Sequence, residues 1–246
     1  ALLPDVANVI FMAGQKFGTQ SDPDATWVAN TVLPAMVAER FQASCMVTLS
    51  TGCVYPLVPW EGAGASEDDP LGPPGEYANS CVGRERVLSH YATRYGFPLC
   101  LVRLCYAIDM RYGVLLDLAQ RVHAGLPIDV SKAATHVIWQ GDANARIIQC
   151  LSHVANPPVA VNVTGRERLT IRDLANRLGK LLNRPVQFVG EEAPTAWVWN
   201  ADKSYDWFGP PLVSIDDMLS ATAAWITRGG ETLNKPTHFE IRDGQF

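Results

Sequence analysis

The sequence predicts an α/β protein with a mostly parallel central sheet and a smaller C-terminal α/β lobe. Short, nearly continuous apolar segments are typical of strands buried on both faces of a parallel sheet. Segments of helical periodicity, about 15 to 20 residues long, separate these strands, which is the pattern of β-α-β units. The chain has 246 residues, 48% of them hydrophobic, and is therefore long enough to bury a substantial core.

The first half of the chain alternates regularly between strands and helices. The predicted elements are a buried strand at 8–13 (NVIFMA), a helix at 22–41, a buried strand at 46–50, a loop at 56–75, a helix at 76–95 and a buried strand at 98–104 (PLCLVRL). The first helix is expected to begin at Asp22 and Pro23, because proline is favoured in the first turn. It carries an apolar stripe formed by Trp27, Val28, Val32, Met36 and Val37. The loop is dense in Pro, Gly and acidic residues.

The second half of the chain alternates less regularly between strands and helices. The predicted elements are a helix at 114–124, an extended segment at 127–131, a strand at 135–140, a helix that follows Asp142, strands at 159–163 and 185–189, and helices at 170–182 and 214–228. Asp142 is expected to be the N-cap of its helix. Thr170 and Ser214, each followed three residues later by an aspartate, resemble capping boxes. The last residues of the chain show no strong period.

Composition excludes several classes of protein. The 20 Lys and Arg against 25 Asp and Glu give a net charge of −5, and the absence of a basic cluster argues against nucleic-acid binding. No apolar run approaches the roughly 18 residues of a membrane-spanning helix, and the beginning of the chain has no signal-peptide pattern. We therefore expect a soluble, cytoplasmic protein without membrane partners.

The cysteines and histidines do not indicate a metal site. The six cysteines show no C-x-x-C spacing and no nearby histidine pair, so a zinc or disulfide framework is not expected. We interpret these cysteines as reduced thiols that pack as small hydrophobic residues. The five histidines are scattered without ligand spacing, and we expect structural roles for them.

Hydroxyl groups at a strand end are the more informative feature. The only G-x-G, at Gly62 and Gly64, lies in the acidic loop rather than between a strand and a helix, so it does not indicate a phosphate-binding turn. Ser50 and Thr51 end the second predicted strand, and Tyr77 begins the next helix. Because ligands bind at the carboxyl ends of parallel strands, these groups could converge on one substrate oxygen. A half-buried packing role for Tyr77 is the alternative.

An ordered set of motifs resembles the extended short-chain dehydrogenase/reductase family, the NAD-dependent epimerase/dehydratase group. The resemblance extends from about residue 8 to residue 226. Its segments are the strand at 8–14, Asn30 in the first helix, the strand end at 50–55 (STGCVY), the acidic loop at 67–74, the tyrosine helix at 77–86, Arg103, Asp142 and the segment 162–165 (NVTG). No single segment is specific, but their order is.

The resemblance implies a Rossmann-like fold, an enzymatic activity and a set of site residues. It implies NAD or NADP as cofactor, a sugar or nucleotide sugar as substrate, and a homodimer formed through the Asn30 and Tyr77 helices. Tyr77 would be the acid/base, and Thr51 with Ser50 would polarise the reacting oxygen. The implied cofactor contacts are Ala13, Gly14, Lys16, Asn30, Tyr77, Cys105 and Tyr106. The implied substrate contacts are Thr51, Gly52, Cys53, Arg111 and Tyr112. Contacts from Thr164, Arg166, Arg168 and the tryptophans 197, 199 and 207 are weaker expectations, and packing is the alternative for the tryptophans.

The resemblance also predicts how the chain is divided. Residues 1–110 and about 132–165 would form the Rossmann part, and residues 111–131 and 166–246 would form the substrate lobe. The family's Gly-rich turn and first strands have no counterpart in this sequence, so we expect an incomplete cofactor sheet with an unpaired edge. A shortened or naturally fragmentary protein without a function of its own is one interpretation of this departure.

A second departure lies at position 81, where the family has a lysine one turn beyond the tyrosine. That lysine holds the nicotinamide ribose and lowers the tyrosine pKa, and Cys81 can do neither. Lys16 and Arg84 are candidate substitutes; a surface ion pair of Arg84 with Glu85 or Glu76 is the alternative. The leading hypothesis is an NAD(P)-dependent oxidoreductase, epimerase or dehydratase. The alternative hypothesis is a catalytically degenerate nucleotide or metabolite sensor.

Overall fold

The computed structural model describes residues 3–245 and has the predicted α/β fold. Its central sheet is parallel and has the strand order β1-β2-β4-β9. These strands are β1 (Asn8–Phe11), β2 (Cys45–Thr51), β4 (Leu99–Leu104) and β9 (Val159–Val163). Residues 1, 2 and 246, which the predicted domain ranges include, lie outside the described residues.

The first strand is less buried than predicted. The residues of β1 are mostly exposed or half-buried, and Phe11 is the buried one. The reason is its position at the edge of the described sheet, where it pairs with β2 on one side. By contrast, β2 and β4 lie in the middle and are largely buried, as their apolar sequences predict.

The first predicted helix forms as three consecutive segments. α1 (Pro23–Trp27) and α2 (Leu33–Arg40) flank a π-helical turn at Val28–Val32. The helix begins at Pro23, as predicted, and the Asp22 side chain caps α1 by accepting a hydrogen bond from the Ala25 amide at 2.8 Å. The predicted apolar stripe lies mostly on the surface. The exposed large apolar side chains of this helical region are Trp27, Val28, Val32, Leu33 and Met36.

The tyrosine helix has the predicted limits. α3 (Glu76–Tyr95) ends at Gly96, whose φ of 79° is the left-handed conformation that glycine tolerates best. α3 packs against α1, the π-helical turn and α2 on one side of the sheet. The preceding loop contains one short strand, β3 (Val58–Pro59), which pairs with β12 (Thr195–Ala196) near the end of the chain.

The C-terminal part consists of helices joined by very short strands. The helices are α4 (Val114–His123), α5 (Gln140–Gln149), α6 (Ile171–Leu182), α7 (Asp202–Phe208) and α8 (Ile215–Thr227). The short strands are β5 (Ala107–Ile108), β6 (Ile128–Asp129), β7 (Ala134–Thr135), β8 (Ile138–Trp139), β10 (Leu169–Thr170) and β11 (Phe188–Val189). Thr170 and Ser214 cap α6 and α8 as predicted, each accepting a hydrogen bond from a backbone amide three residues later.

Two predictions for this part are wrong. The strand expected at 135–140 is divided into β7 and β8, because the two segments pair with different strands. Asp142 is not an N-cap, since α5 begins at Gln140 and Asp142 lies in its first turn. Its carboxylate instead accepts a hydrogen bond from the Val213 amide at 3.0 Å, which ties α5 to the segment before α8.

Apolar packing is divided among several clusters. α4, α6 and α8 share one cluster around Leu118, Leu174 and Leu219. Both faces of the central sheet carry their own clusters, and five of the six free cysteines are buried in the core. Within residues 3–245, no helix combines the length and the apolar composition needed to cross a membrane.

Candidate functional site

A cavity of about 330 Å³ opens at the carboxyl ends of β1, β2 and β4. The parallel register explains its position, since the strands end together beside the segment after β1 and the start of α3. Twelve of the predicted site residues line it: Gly14, Lys16, Asn30, Ser50, Thr51, Gly52, Cys53, Tyr77, Cys81, Cys105, Tyr106 and Tyr112. The sequence prediction that strand-end hydroxyls and Tyr77 converge therefore matches this geometry.

Other predicted contacts lie outside the cavity. Ala13 is exposed, and Arg111 is an exposed residue whose guanidinium pairs with Asp109 at 3.0 Å. Arg166 pairs with Asp202, and Arg168 donates to the backbone oxygen of Glu61. Each of these arginines is occupied by a local partner rather than directed at the cavity.

The three tryptophans have different surroundings. Trp197 is buried and donates to the Tyr55 backbone oxygen at 2.9 Å, and Trp207 stacks on His153 with ring centroids 4.2 Å apart. Trp199 lines the cavity while its indole nitrogen donates to the Gly52 oxygen at 2.8 Å. Packing therefore explains Trp197 and Trp207, and Trp199 combines packing with a place in the cavity wall.

Tyr77 shares the cavity lining with Thr51 and Cys81, and the side chains of both influence the pKa of its hydroxyl. Burial and the neighbouring thiols raise the pKa of Tyr77 well above its usual value. Burial also raises the pKa of Cys81 to about 12, so this residue is a neutral thiol near pH 7. Position 81 thus supplies no positive charge to the tyrosine, as the sequence predicts.

Arg84 is buried, which excludes the surface ion pair considered above. Its guanidinium donates to the Leu49 oxygen at 2.8 Å and to the Asn30 side-chain oxygen at 2.6 Å, and it lies 5.7 Å from the centre of the Phe11 ring. A Cβ on Gly14 would lie 2.2 Å from this guanidinium. A side chain at position 14 would therefore have to displace this guanidinium, which glycine allows to lie against the segment after β1.

Asn30 fixes the segment that follows β1. Its amide nitrogen donates to the Gln15 oxygen at 2.9 Å and to Ser80 at 2.8 Å, while its oxygen accepts from the Gln15 amide at 3.0 Å. Asn30 is fully buried in the π-helical turn, a local distortion that is frequent at functional sites. Its main role is to hold this segment against α3.

Ser50 belongs to a buried network behind the cavity. Its hydroxyl donates to Glu85 at 2.5 Å, and Glu85 forms a 2.8 Å ion pair with Arg103. Arg103 also donates to the Tyr55 hydroxyl at 2.6 Å, which in turn donates to Asn162 at 2.8 Å. Because the Ser50 proton is directed at Glu85, Thr51 is the better placed of the two hydroxyls to meet a substrate oxygen.

The lining suits an anionic ligand. Lys16 and Arg84 line the cavity, and none of its described lining residues is an aspartate or glutamate. Burial lowers the pKa of Lys16, whose amine donates to the Thr237 oxygen at 3.3 Å. Two basic side chains, hydroxyl groups and the close approach of backbone at Gly14 fit the phosphate and ribose groups of a dinucleotide.

The sequence does not indicate two further residues of this region. Thr237 lines the cavity from the C-terminal segment, where no periodicity or motif singles it out. Lys132, from the segment between β6 and β7, reaches Tyr106 behind the cavity wall. An isolated lysine between two apolar segments carries no signal that distinguishes it from a surface residue.

Comparisons with known proteins agree with the fold. Residues 4–144 match the model of the NAD dependent epimerase/dehydratase family. No curated protein matches the chain. Among solved structures, the UDP-glucose 4-epimerase of Thermus thermophilus in complex with NAD is 21% identical, with a TM-score of 0.74 over 89% of this chain and 76% of that one.

Two more solved structures are similar. The dTDP-glucose 4,6-dehydratase of Bacillus anthracis in complex with NAD is 16% identical, with a TM-score of 0.75 over 91% of this chain and 73% of that one. The RMD protein of Pseudomonas aeruginosa complexed with NADPH is 19% identical, with a TM-score of 0.76 over 89% and 80%. At these identities the likeness establishes the fold.

Proposed function

Because the chain belongs to the NAD-dependent epimerase/dehydratase family, we propose that it binds NAD or NADP and acts on a nucleotide sugar. The observation that carries the proposal is that Thr51 and Tyr77 line one cavity together with two basic side chains and with no described carboxylate. Similar solved structures contain NAD, NADPH and, in one case, UDP-glucose with NAD.

Each residue has a distinct part in the proposed reaction. Lys16 and Arg84 attract the anionic ligand, and Thr51 hydrogen bonds the reacting sugar oxygen. Tyr77 exchanges its hydroxyl proton with that oxygen as general acid or base. When bound, the nicotinamide contributes hydride exchange with the sugar carbon.

The lobe built on α4, α6 and α8 is the proposed source of further substrate contacts. Its apolar cluster is separate from those of the sheet, and Tyr112 brings it to the cavity. The division into residues 1–110 with 132–165, and 111–131 with 166–246, stays a prediction.

Tyr77→Phe tests the proposed reaction. Purified protein is first examined for bound dinucleotide by absorbance and then assayed with added NAD or NADP and a panel of UDP- and dTDP-sugars. We expect Tyr77→Phe to remove turnover while keeping the bound dinucleotide. Tyr95→Phe, at the far end of the same helix, is the matched control and should keep both. An unchanged rate in Tyr77→Phe would refute the assignment.

A nucleotide or metabolite sensor without turnover is the second candidate function. The neutral thiol at Cys81 and the raised pKa of Tyr77 favour it. A bound dinucleotide without turnover, followed by a gain of activity in Cys81→Lys, would support the sensor. If the parent is active and Cys81→Lys loses activity, the thiol is part of an active-site arrangement that differs from the tyrosine–lysine pair of the family.

We also propose a homodimer formed through the surface of α1, the π-helical turn and α2. Its apolar stripe is exposed, with Met36 at 62%, Val28 at 55% and Val32 at 50%, and a contiguous apolar surface of this kind is typical of an interaction site. Light scattering after size exclusion should give twice the mass of one chain, and Val32→Glu should reduce it to one chain. A monomeric parent would contradict the proposal.

A further inference from the structure

A buried lysine lies behind the wall of the cavity. Lys132 is 1% exposed, and within residues 3–245 its amine donates to the Tyr106 hydroxyl at 2.6 Å rather than to a carboxylate. The amine also lies 4.2 Å from the centre of the Tyr106 ring. An ammonium group in such a place is poorly compensated for the water it has lost.

Tyr106 connects this lysine to the cavity. It follows β4 directly, is half-buried and lines the cavity. Its backbone has a φ of 42°, in the left-handed region that residues other than glycine rarely adopt, and such strain is concentrated at functional sites. Its ring packs edge-on against Trp199 with the centroids 5.5 Å apart, which holds the phenol between the cavity and Lys132.

The charged and titratable groups around Lys132 shift its pKa in opposite directions. Cys53 and Glu240 favour the ammonium form, and Lys16 and Arg242 disfavour it. Burial is the largest influence and lowers the pKa of Lys132 to about 7. Both forms of the amine are therefore present near neutral pH, so the amine can give or accept a proton there.

We propose that Tyr106 and Lys132 form a second proton-transfer pair of this site, for a hydroxyl-bearing ligand in the cavity. The ligand O–H bond breaks as its proton passes to the Tyr106 oxygen, while Tyr106 gives its own proton to the Lys132 amine as a new N–H bond. The reverse transfer restores the starting state. Tyr106 is the catalytic residue of the pair, and Lys132 is a positioning residue that acts through it.

This inference deepens the proposed function and rests on it for the identity of the ligand. Position 81 gives the site no cation, and burial raises the pKa of both Tyr77 and Tyr106 well above the usual value. Tyr106 differs from Tyr77 in having the Lys132 amine at 2.6 Å, which can take up its proton. A phenol coupled to a titrating amine supplies what the Cys81 thiol cannot, namely an acid/base group that works near pH 7.

The first test measures Lys132 without any ligand. Between about pH 7 and pH 10 the unfolded chain binds a proton at this lysine that the folded protein does not, so stability rises with pH. Equilibrium unfolding of the parent relative to Lys132→Met should show the unfolding constant falling by up to about tenfold per pH unit in this range. Lys180→Met, which changes an exposed lysine of α6, should behave as the parent. If the unfolding constants of the parent and of Lys132→Met changed equally with pH, the proposal would be overturned.

The second test uses turnover of UDP-glucose with added NAD. In the parent, the rate of sugar oxidation should rise up to about tenfold per pH unit below pH 7 and become constant above it. In Lys132→Met and Tyr106→Phe the rate should no longer rise in this way with pH. At pH 8 the rate of each variant should be at least about tenfold lower than that of the parent. Tyr106→Phe keeps the ring, so it remains informative if Lys132→Met folds poorly.

The two tests separate failure of the pair from failure of the proposed function. A pH–rate profile unchanged in both variants of an active enzyme overturns the pair and leaves the proposed function intact. A parent that turns over no UDP- or dTDP-sugar overturns the proposed function, and a stability slope that Lys132→Met removes then still supports a titrating Lys132 amine in the pair.

Discussion

Removing Arg103 should destabilise the protein strongly, because it isolates a buried carboxylate. The side chains of Arg103 and Glu85 are 6% and 4% exposed, and two hydrogen bonds of 2.8 and 3.1 Å join them. In Arg103→Met, Glu85 keeps only its hydrogen bond from Ser50 among these contacts. Breaking one side of a buried pair of this kind costs about 3–5 kcal/mol of the free energy of unfolding.

Equilibrium unfolding in urea at pH 7 measures this loss. The double variant Arg103→Met with Glu85→Leu removes both charges, so it should be more stable than Arg103→Met by at least about 1 kcal/mol. Tyr55 provides an internal check, because Tyr55→Phe removes only the hydroxyl that Arg103 and Asn162 share and should cost about 1–3 kcal/mol. The reasoning would be refuted if Arg103→Met lowered the free energy of unfolding by less than about 1 kcal/mol, or if the double variant were less stable than Arg103→Met.

Three further changes test other parts of the site and fold. Cys81→Lys places a cation beside Tyr77 and should lower the pKa of Tyr77, as followed by tyrosinate absorbance against a Cys81→Met control. Gly52→Ala should cost about 1–3 kcal/mol in urea unfolding, because the added Cβ would lie 2.3 Å from a buried cysteine sulfur. Gly72→Ala, with nothing within 4 Å of the added Cβ, should be close to neutral. Ser214→Ala removes the cap of α8 and should lower the unfolding free energy by about 1 kcal/mol, which Ser214→Asp should restore.

The sequence predicts the parts of the fold that depend on local pattern. The three strands β2, β4 and β9, the limits of α3 and the caps Thr170 and Ser214 are recovered because apolar runs and cap residues encode them in a few neighbouring positions. The convergence of Thr51 and Tyr77 follows from the general rule that parallel strands end at a common edge.

Features that depend on distant partners are not predictable in this way. The segment 135–140 has the pattern of one strand, yet β7 and β8 pair with strands far apart in the chain. β3 and β12 are two residues each, too short for a period to be visible. For Arg84 and Lys132 the sequence shows a charged residue, and only the fold reveals that both are buried beside the cavity.

The contact between Lys16 and Thr237 joins residues 221 positions apart. Contacts of such long sequence separation form late in folding, because the loop-closure entropy must be overcome first. The described strands of the central sheet lie within residues 8–163, whereas Trp199 and Thr237 complete the cavity lining from later in the sequence. The ligand pocket therefore depends on contacts of long sequence separation as well as on the sheet that carries its other walls.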